Sequence, residues 1–222
     1  MVISLDSDRR LAQRIRSVYA DSPLLARIEQ SLRPSICPFD LVVNAVPRGA
    51  RVLDVGCGSG LLLALLALAG RRIIGVGFDT DRNAIGCARM MVHHLVDTGS
   101  MLSFERRDAT DPWPRESFDV VCMVDLLHHV PVRAQEAVFA QAVDAIQPGG
   151  LVVYKDMCRR PRWRAAANQL HDLALARQWI HHVPVERVER WASNRGLTLE
   201  AHAFATRLWY GHDLRVFRRP TS

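Results

Sequence analysis

The chain has 222 residues, a mass of 25.0 kDa, 49% hydrophobic residues and a formal net charge of +6. This length and apolar content suffice for one domain with a large core. No apolar run reaches the roughly 18 residues that a membrane-spanning helix needs. The first ten residues, MVISLDSDRR, do not have the form of a signal peptide. The sequence therefore argues against a transmembrane protein and predicts a cytoplasmic one.

The cysteines are odd in number, widely spaced and without a C-x-x-C pair. This pattern argues against both a zinc site and a disulfide framework, and it predicts reduced thiols. The five residues are Cys37, Cys57, Cys87, Cys122 and Cys158.

The net charge is concentrated near the C-terminus. Residues 151–222 carry thirteen basic and six acidic groups, a net of +7, whereas residues 1–150 carry sixteen basic and seventeen acidic groups. One interpretation is an electropositive face for RNA, a membrane surface or an anionic substrate. The other is a solvated helical face in an arginine-rich protein, because the chain has 28 Arg and one Lys. Both interpretations stay open at this point.

Residues 1–47 are predicted to form an N-terminal helical cap region. Apolar residues recur at helical spacing on two stripes, and Pro34 and Pro38 predict a loop before a short helix at 40–46. The two stripes consist of Leu11, Ile15 and Val18, then Leu24, Leu25, Ile28 and Leu32.

The most informative stretch is 52–60, VLDVGCGSG, which is followed by ten uncharged residues, LLLALLALAG. An apolar run, three closely spaced glycines and a second apolar run predict a buried parallel strand, a tight turn and a helix packed on the sheet. Glycines let the backbone take unusual φ values and let a ligand lie against the main chain. The helix N-terminus offers free N–H groups at the same place. A ligand site is therefore predicted at this turn.

Two cofactor classes use such a turn. Dinucleotide-binding folds use G-x-G-x-x-G, but here the third glycine comes one residue early, at Gly60, and Leu61 occupies the dinucleotide position. The strand also ends in Asp54, whose charge repels a pyrophosphate but suits a cationic amino acid. The pattern D-x-G-x-G-x-G resembles motif I of the class I S-adenosylmethionine (SAM) methyltransferases. Further along, D-A…W-P…S-F-D-V-V…L-L-H-H-V-P resembles the small-molecule branch of that family.

The resemblance implies that SAM binds at this turn and leaves as S-adenosylhomocysteine (SAH), with no metal. It places the adenine near Phe78, Asp108 and Ala109. The methionine end is expected at Asp54, Gly56, Cys57, Gly58 and Gly60.

Asp79 follows the predicted second strand at 72–78 and lies 25 residues after Asp54. Acids at this place bind ribose hydroxyls in nucleotide-binding folds, and a carboxylate can accept two hydroxyl hydrogens at once. The alternative is a cap on the next helix. Because Asp81 is the better-placed cap, the ribose interpretation of Asp79 is favoured.

Strands and helices alternate from 51 to 154, which predicts a parallel sheet covered on both faces. Further strands are predicted at 101–106, 117–123 and 151–154, with a helix at 135–146. The C-terminal part is predicted to contain a long helix at 161–180, a helix between Pro184 and Gly196, and a strand pair at 197–205 and 209–217.

The expected fold class is therefore α/β, a doubly wound, mostly parallel seven-stranded sheet with a C-terminal antiparallel hairpin and helices on both faces. The whole chain is expected to form a single domain. Within it, 48–156 would be the SAM-binding core and 157–222 would supply substrate-side helices and the terminal hairpin.

Asp125, His128 and His129 follow the predicted fourth strand, whose carboxyl end faces the cofactor cleft in this architecture. A histidine titrates near neutral pH and can act as a general base, so His128 and His129 are the catalytic candidates. The alternative is that the L-L-H-H-V-P string only turns the chain into the next helix. Asp125 is the candidate to contact the methionine amino group or the substrate.

In the resembling family an N-terminal extension often covers the substrate pocket. Tyr19 and Phe39 are candidates there, although packing against the sheet is the favoured interpretation. The remaining substrate candidates are Arg159, Arg160, Trp163 and Trp209.

The resemblance implies a SAM-dependent methyltransferase that acts on an oxygen or carbon of a small, possibly anionic or aromatic, molecule. The Asn/Asp-Pro-Pro-Tyr-type tetrapeptide that marks amino methylation of nucleobases is missing, since Asp125-Leu126-Leu127-His128 stands in its place. One alternative is an RNA methyltransferase that uses the basic C-terminal third, although no RNA-binding module is visible. Another is a non-catalytic SAM-binding protein. The oligomeric state is left open.

Overall fold

The computed structural model describes residues 5–114, 116–157, 181–207 and 210–221. Seven strands form one sheet in the order β3-β2-β1-β4-β5-β7-β6. The strands are β1 Arg51–Val55, β2 Ile74–Asp79, β3 Met101–Arg106, β4 Phe118–Val124, β5 Ile146–Met157, β6 Thr198–Arg207 and β7 Tyr210–Arg218. The helices are α1 Leu5–Val18, α2 Leu24–Ile36, α3 Phe39–Ala45, α4 Leu61–Leu68, α5 Arg82–Met91, α6 Val132–Ala145 and α7 Val185–Asn194.

The predicted fold class is confirmed. The first five strands pair in parallel, whereas β7 pairs antiparallel with both β5 and β6. Helices cover both faces. One apolar cluster joins the sheet to α1, α3, α4 and α5, and the other joins it to α6 and α7.

The helix after the glycine turn is apolar on all sides because it is buried on all sides. Every residue of α4 from Leu61 to Ala67 is buried. A helix of this kind can only pack inside a protein, so α4 is held firmly between the sheet and the N-terminal helices. The packing of α4 therefore fixes the orientation of its first residues and of the glycine turn before them.

Several boundaries differ from the prediction. Pro34 lies inside α2, which continues to Ile36 instead of ending in a loop. The predicted second strand begins two residues later than expected, at Ile74, because Arg72 has a positive φ of 52°. The fifth strand is longer than predicted, since β5 already begins at Ile146.

The two N-terminal helices bury their apolar stripes to very different extents. Ile15 and Val18 of α1 lie in the core. On α2 the stripe is exposed instead, with Leu24 at 67% and Leu25 at 81% relative accessibility. The apolar periodicity of 24–32 predicted the helix correctly, but among the described residues this apolar stripe is not buried in the core.

Within the described part of the chain, none of the helices combines the length and the apolar character that crossing a membrane requires. The predicted helix at 161–180 lies outside the described residues. The division into a cap, a core and a substrate-side part stays a prediction.

Candidate active site

The glycine turn lies at the carboxyl edge of the parallel strands, where open α/β sheets bind their ligands. It is tied to the end of β2 by three main-chain N–H groups. Gly56 and Cys57 donate to the Phe78 carbonyl oxygen at 2.9 and 3.0 Å, and Gly58 donates to Asp79 Oδ2 at 2.9 Å. The ends of β1 and β2 therefore form one rigid unit.

Two of the predicted turn glycines have no room for a side chain. Gly56 has φ of 70°, and a Cβ built there would lie 2.6 Å from a methyl carbon of Leu126. Gly60 has φ of 78°, and its Cβ would lie 2.7 Å from the Phe104 ring. Any other residue would combine backbone strain with overlap at either place. The turn therefore keeps bare main chain at the end of β1.

Asp54 is buried at 2% exposure directly before this turn. Burial, and after it the nearby Asp79 carboxylate, raise the pKa of its carboxyl group, Arg33 lowers it, and the net pKa is about 7. A buried carboxylate whose ionisation is costly gains most from a cation brought to it. The end of β1 is thus suited to an ammonium or sulfonium group.

Arg33 reaches this turn from α2 and was not identified from the sequence. Its Nη1 lies 3.8 Å from the position of a Cβ built on Gly58. The guanidinium therefore supplies a cation beside the turn, next to the carboxylate of Asp54.

Asp79 accepts hydrogen bonds from Gly58 N and Asp81 N, each at 2.9 Å. Asp81 is the helix cap, because its Oδ1 accepts from the main chain of Asn83 and Ala84. This confirms that Asp81 rather than Asp79 caps α5. Each Asp79 oxygen keeps a further lone pair for a ligand hydroxyl.

The predicted adenine residues lie in different surroundings. Phe78 is fully buried and packs edge-to-face against Trp113, with ring centroids 5.5 Å apart. Trp113 also donates from its indole nitrogen to the Ala109 carbonyl oxygen at 2.9 Å. Asp108 is exposed and accepts from Thr110 N at 2.8 Å. Trp113 thus fixes the Ala109 main chain, a role that its loop context did not reveal.

Asp125 follows β4 in a strained conformation, with φ of 53°. Lys155 Nζ donates to both of its carboxylate oxygens at 2.8 and 2.6 Å, and Asp125 N donates to the Lys155 carbonyl oxygen at 2.8 Å. Burial opposes ionisation of Asp125, but Lys155 and then His128 hold its pKa well below the ordinary value. Asp125 is therefore ionised, and its carboxylate is held in place by Lys155.

His128 is buried after β4, and its Nδ1 is hydrogen-bonded to Asp156 Oδ1. The His129 ring is exposed and its centroid lies 4.1 Å from that of His128. The structure thus brings both catalytic candidates to the carboxyl end of β4. Asp156, which no sequence pattern singled out, orients one of them.

The pentapeptide HHVPV occurs twice, at 128–132 and 181–185, and the two copies lie against each other. His181 N donates to the His128 carbonyl oxygen at 2.8 Å. The buried side chain of Gln135 donates to the carbonyl oxygens of both copies, through Val130 and His181. The two turns therefore hold each other, and the main chain at His128, in place.

Two of the substrate candidates, Tyr19 and Phe39, lie among the described residues. Tyr19 is fully buried, and its hydroxyl donates to the Ser59 carbonyl oxygen at 2.7 Å, so it contacts the glycine turn. Phe39 lies in the core. The other candidates, Arg159, Arg160, Trp163 and Trp209, lie outside the described residues.

The three ligand atoms of Asp125, His128 and Asp156 lie within 4.8 Å of one another, a spacing that a metal ion could bridge. Lys155 already holds both oxygens of Asp125, however, and its ammonium group would repel a cation. The donor set therefore favours an internal network of ion pairs. The absence of a metal stays a prediction.

Comparisons with known proteins agree on a methyltransferase family. A family model described as "Methyltransferase domain" matches residues 27–202. The chain is 33% identical over 118 residues to a ubiquinone biosynthesis O-methyltransferase from Aromatoleum aromaticum, which covers 52% of this chain and 47% of that protein. The chain thus spans about half the length of the curated relatives it matches.

Two solved structures show the same fold at low sequence identity. Magnesium protoporphyrin IX methyltransferase from Synechocystis, with bound SAH, is similar at a TM-score of 0.69 with 17% identity, and the match covers 93% of each chain. The [4+2]-cyclase SpnF is similar at a TM-score of 0.67 with 15% identity, covering 83% of this chain and 81% of that one.

Proposed function

The chain belongs to the methyltransferase-domain family, and on that premise we propose that it transfers the methyl group of SAM to an oxygen of a small molecule. The observation that carries this proposal is the buried Asp54 carboxylate at the glycine turn, which suits the cationic methionine end of SAM. Arg33, whose guanidinium lies beside Gly58, is suited to the methionine carboxylate.

The rest of the cofactor follows the edge of the sheet. Asp79 accepts hydrogen bonds from the ribose hydroxyls with the lone pairs that Gly58 and Asp81 leave. The adenine lies near Phe78, Asp108 and Ala109, where Trp113 stiffens the main chain. The cofactor site is therefore assembled from the ends of β1, β2 and β3.

Methyl transfer requires an in-line attack on the sulfonium methyl group. The positive charge spreads as the reaction proceeds, so alignment and exclusion of water supply most of the rate. His128, at the end of β4, serves as general base for the acceptor. Asp125 is held by Lys155 and therefore shapes the floor of the cleft without exchanging a proton.

The cofactor assignment is tested by calorimetry with SAH. Asp79→Ala removes hydrogen bonds worth about 1–3 kcal/mol, so SAH affinity should fall more than about tenfold. Gly58→Leu should abolish binding, because Gly58 has φ of 53° and the side chain would fill the turn. Asp97→Asn, an exposed residue in the short helical segment after α5, is the control. Wild-type affinity in Gly58→Leu would refute the cofactor site itself.

The basic C-terminal third gives the alternative of an RNA substrate its only support. We propose that it does not serve RNA, because several of its described arginines are already paired, Arg215 with Glu189 and Arg218 with Glu200. A protein that tracks phosphates loses affinity steeply with salt. Filter binding of total RNA at increasing salt should show only weak retention; tight, salt-sensitive retention would instead favour the RNA methyltransferase.

A further inference from the structure

Asp54 lies buried before the glycine turn without a partner for its carboxylate. The residue is 2% exposed, and in the described part of the chain no hydrogen bond or ion pair reaches its side-chain oxygens. An ionised carboxylate that is removed from water without a partner is costly, and a buried acid avoids this cost by keeping its proton. The surroundings of Asp54 therefore favour its neutral form in the cofactor-free protein.

The charged and titratable groups around Asp54 come from α2, β2, β4, the glycine turn and the segment that joins α1 to α2. Asp79 is held at the turn by the main-chain N–H of Gly58 and opposes a second negative charge, whereas Arg33 favours one. Burial and Asp79 outweigh Arg33, so the net pKa of Asp54 is raised to about 7. Burial also raises the pKa of each remaining group and keeps it neutral; these groups are Tyr19, Cys57 and Cys122.

The amino-acid end of the cofactor reverses this balance. With Asp54 and Asp79 both ionised, the turn carries two negative charges and the single positive charge of Arg33. SAM and SAH each bring an ammonium group, which suits Asp54, and a carboxylate, which suits Arg33. A positive charge within a few ångströms favours the ionised form of an acid. Binding of the amino-acid end therefore favours loss of the Asp54 proton.

We propose, building on the proposed function, that Asp54 exchanges its proton for the ammonium group of the cofactor. Asp54 is protonated in the cofactor-free protein and ionised in the complex, and the released proton passes to water. When SAH leaves, Asp54 takes a proton from water again. Because the cofactor-free form holds the extra proton, acid favours that form and weakens cofactor binding, and this effect is lost as the pH rises above about 7.

Calorimetry with SAH measures the exchange and needs no methyl acceptor. At pH 6, titrations in two buffers of different protonation enthalpy should show release of about 0.9 proton per SAH bound, against about 0.1 at pH 8. SAH affinity should be about tenfold lower at pH 6 than at pH 8. Asp54→Asn cannot ionise, so it should lose both the proton release and this pH dependence. Asp97→Asn, an exposed acid after α5, should keep both.

Infrared difference spectra identify the titrating group even if Asp54→Asn binds SAH too weakly for calorimetry. At pH 6 the wild type should lose a protonated-carboxyl C=O band when SAH binds, and cofactor-free Asp54→Asn should lack this band. SAH binding without proton release in the wild type, or a band that persists in Asp54→Asn, would overturn the coupling and leave the cofactor site standing. A wild type that binds no SAH at either pH would instead refute the proposed function.

Discussion

Asp54 and Asp125 lie at the ends of neighbouring strands, and the protein treats the buried carboxylate of Asp54 and the half-buried one of Asp125 in opposite ways. Lys155 binds both oxygens of Asp125 and lowers its pKa. Asp54 has no such partner, and burial together with Asp79 raises its pKa to about 7. Lys155 neutralises the charge of Asp125, so Asp125 has a structural role. Asp54 remains suited to binding a cationic ligand.

The largest change in stability should follow from breaking the ion pair of Lys155 and Asp125. Lys155→Met keeps the length of the side chain but deprives the half-buried Asp125 carboxylate of its lysine, which should cost about 3–5 kcal/mol of unfolding free energy. Urea denaturation measures it. The double variant Lys155→Met/Asp125→Asn removes both charges and should recover a large part of the loss. A single variant as stable as the wild type would mean that the pair contributes little to stability.

The pH dependence of stability should distinguish the two aspartates. Between the ordinary pKa of 3.8 and about 7, folded Asp54 keeps a proton that the unfolded chain releases. This contribution is therefore complete below pH 4, falls as the pH rises, and is gone above about 7.

Asp54→Asn should remove that dependence. The free energy of unfolding of the wild type, measured without cofactor at pH 5 and pH 8, should fall by roughly 2–3 kcal/mol more than that of the variant. Subtracting the two proteins cancels the titration of the histidines. Parallel curves for the two proteins would show that Asp54 is ionised in the folded state throughout.

The smallest effect concerns the contact that joins the N-terminal helices to the turn after Asp54. Tyr19→Phe deletes the hydrogen bond to the Ser59 carbonyl oxygen and should lower SAH affinity by a few-fold, equivalent to about 0.5–1.5 kcal/mol. Ser17→Ala on the same segment, whose hydroxyl bonds only to Arg14, is the control for calorimetry. Unchanged SAH affinity in Tyr19→Phe would mean that the contact of the N-terminal helices with the turn does not contribute to cofactor binding.

Local sequence rules were sufficient for the sheet, the glycine turn and the cap at Asp81, because each depends on neighbours along the chain. Asp156, Arg33 and Trp113 could not be predicted in this way. Asp156 and Arg33 act through contacts with residues far away in sequence, as in the pair of His128 and Asp156. Trp113 hydrogen-bonds to the nearby Ala109, but it also packs against Phe78, which lies far earlier in the chain.

One signal for the buried network was present in the composition. Lys155 is the single lysine beside 28 arginines, and it is fully buried. A compact ammonium fits a closed site between two oxygens, where the planar guanidinium of arginine does not. In a chain so rich in arginine, the single lysine indicates a position where the geometry of the site requires an ammonium group.

The exposed apolar stripe of α2 shows where the sequence misleads, because helical periodicity alone does not distinguish a core face from a solvent-exposed one.

The paired HHVPV turns also bear on how this protein can change over evolutionary time. Met157 is fixed in the ladder with His212, and His181 is fixed to the His128 main chain. The ends of the intervening stretch, 158–180, are therefore anchored independently of its length. Insertions, deletions and recombination between these two anchors can therefore diversify this stretch while the cofactor machinery is inherited unchanged.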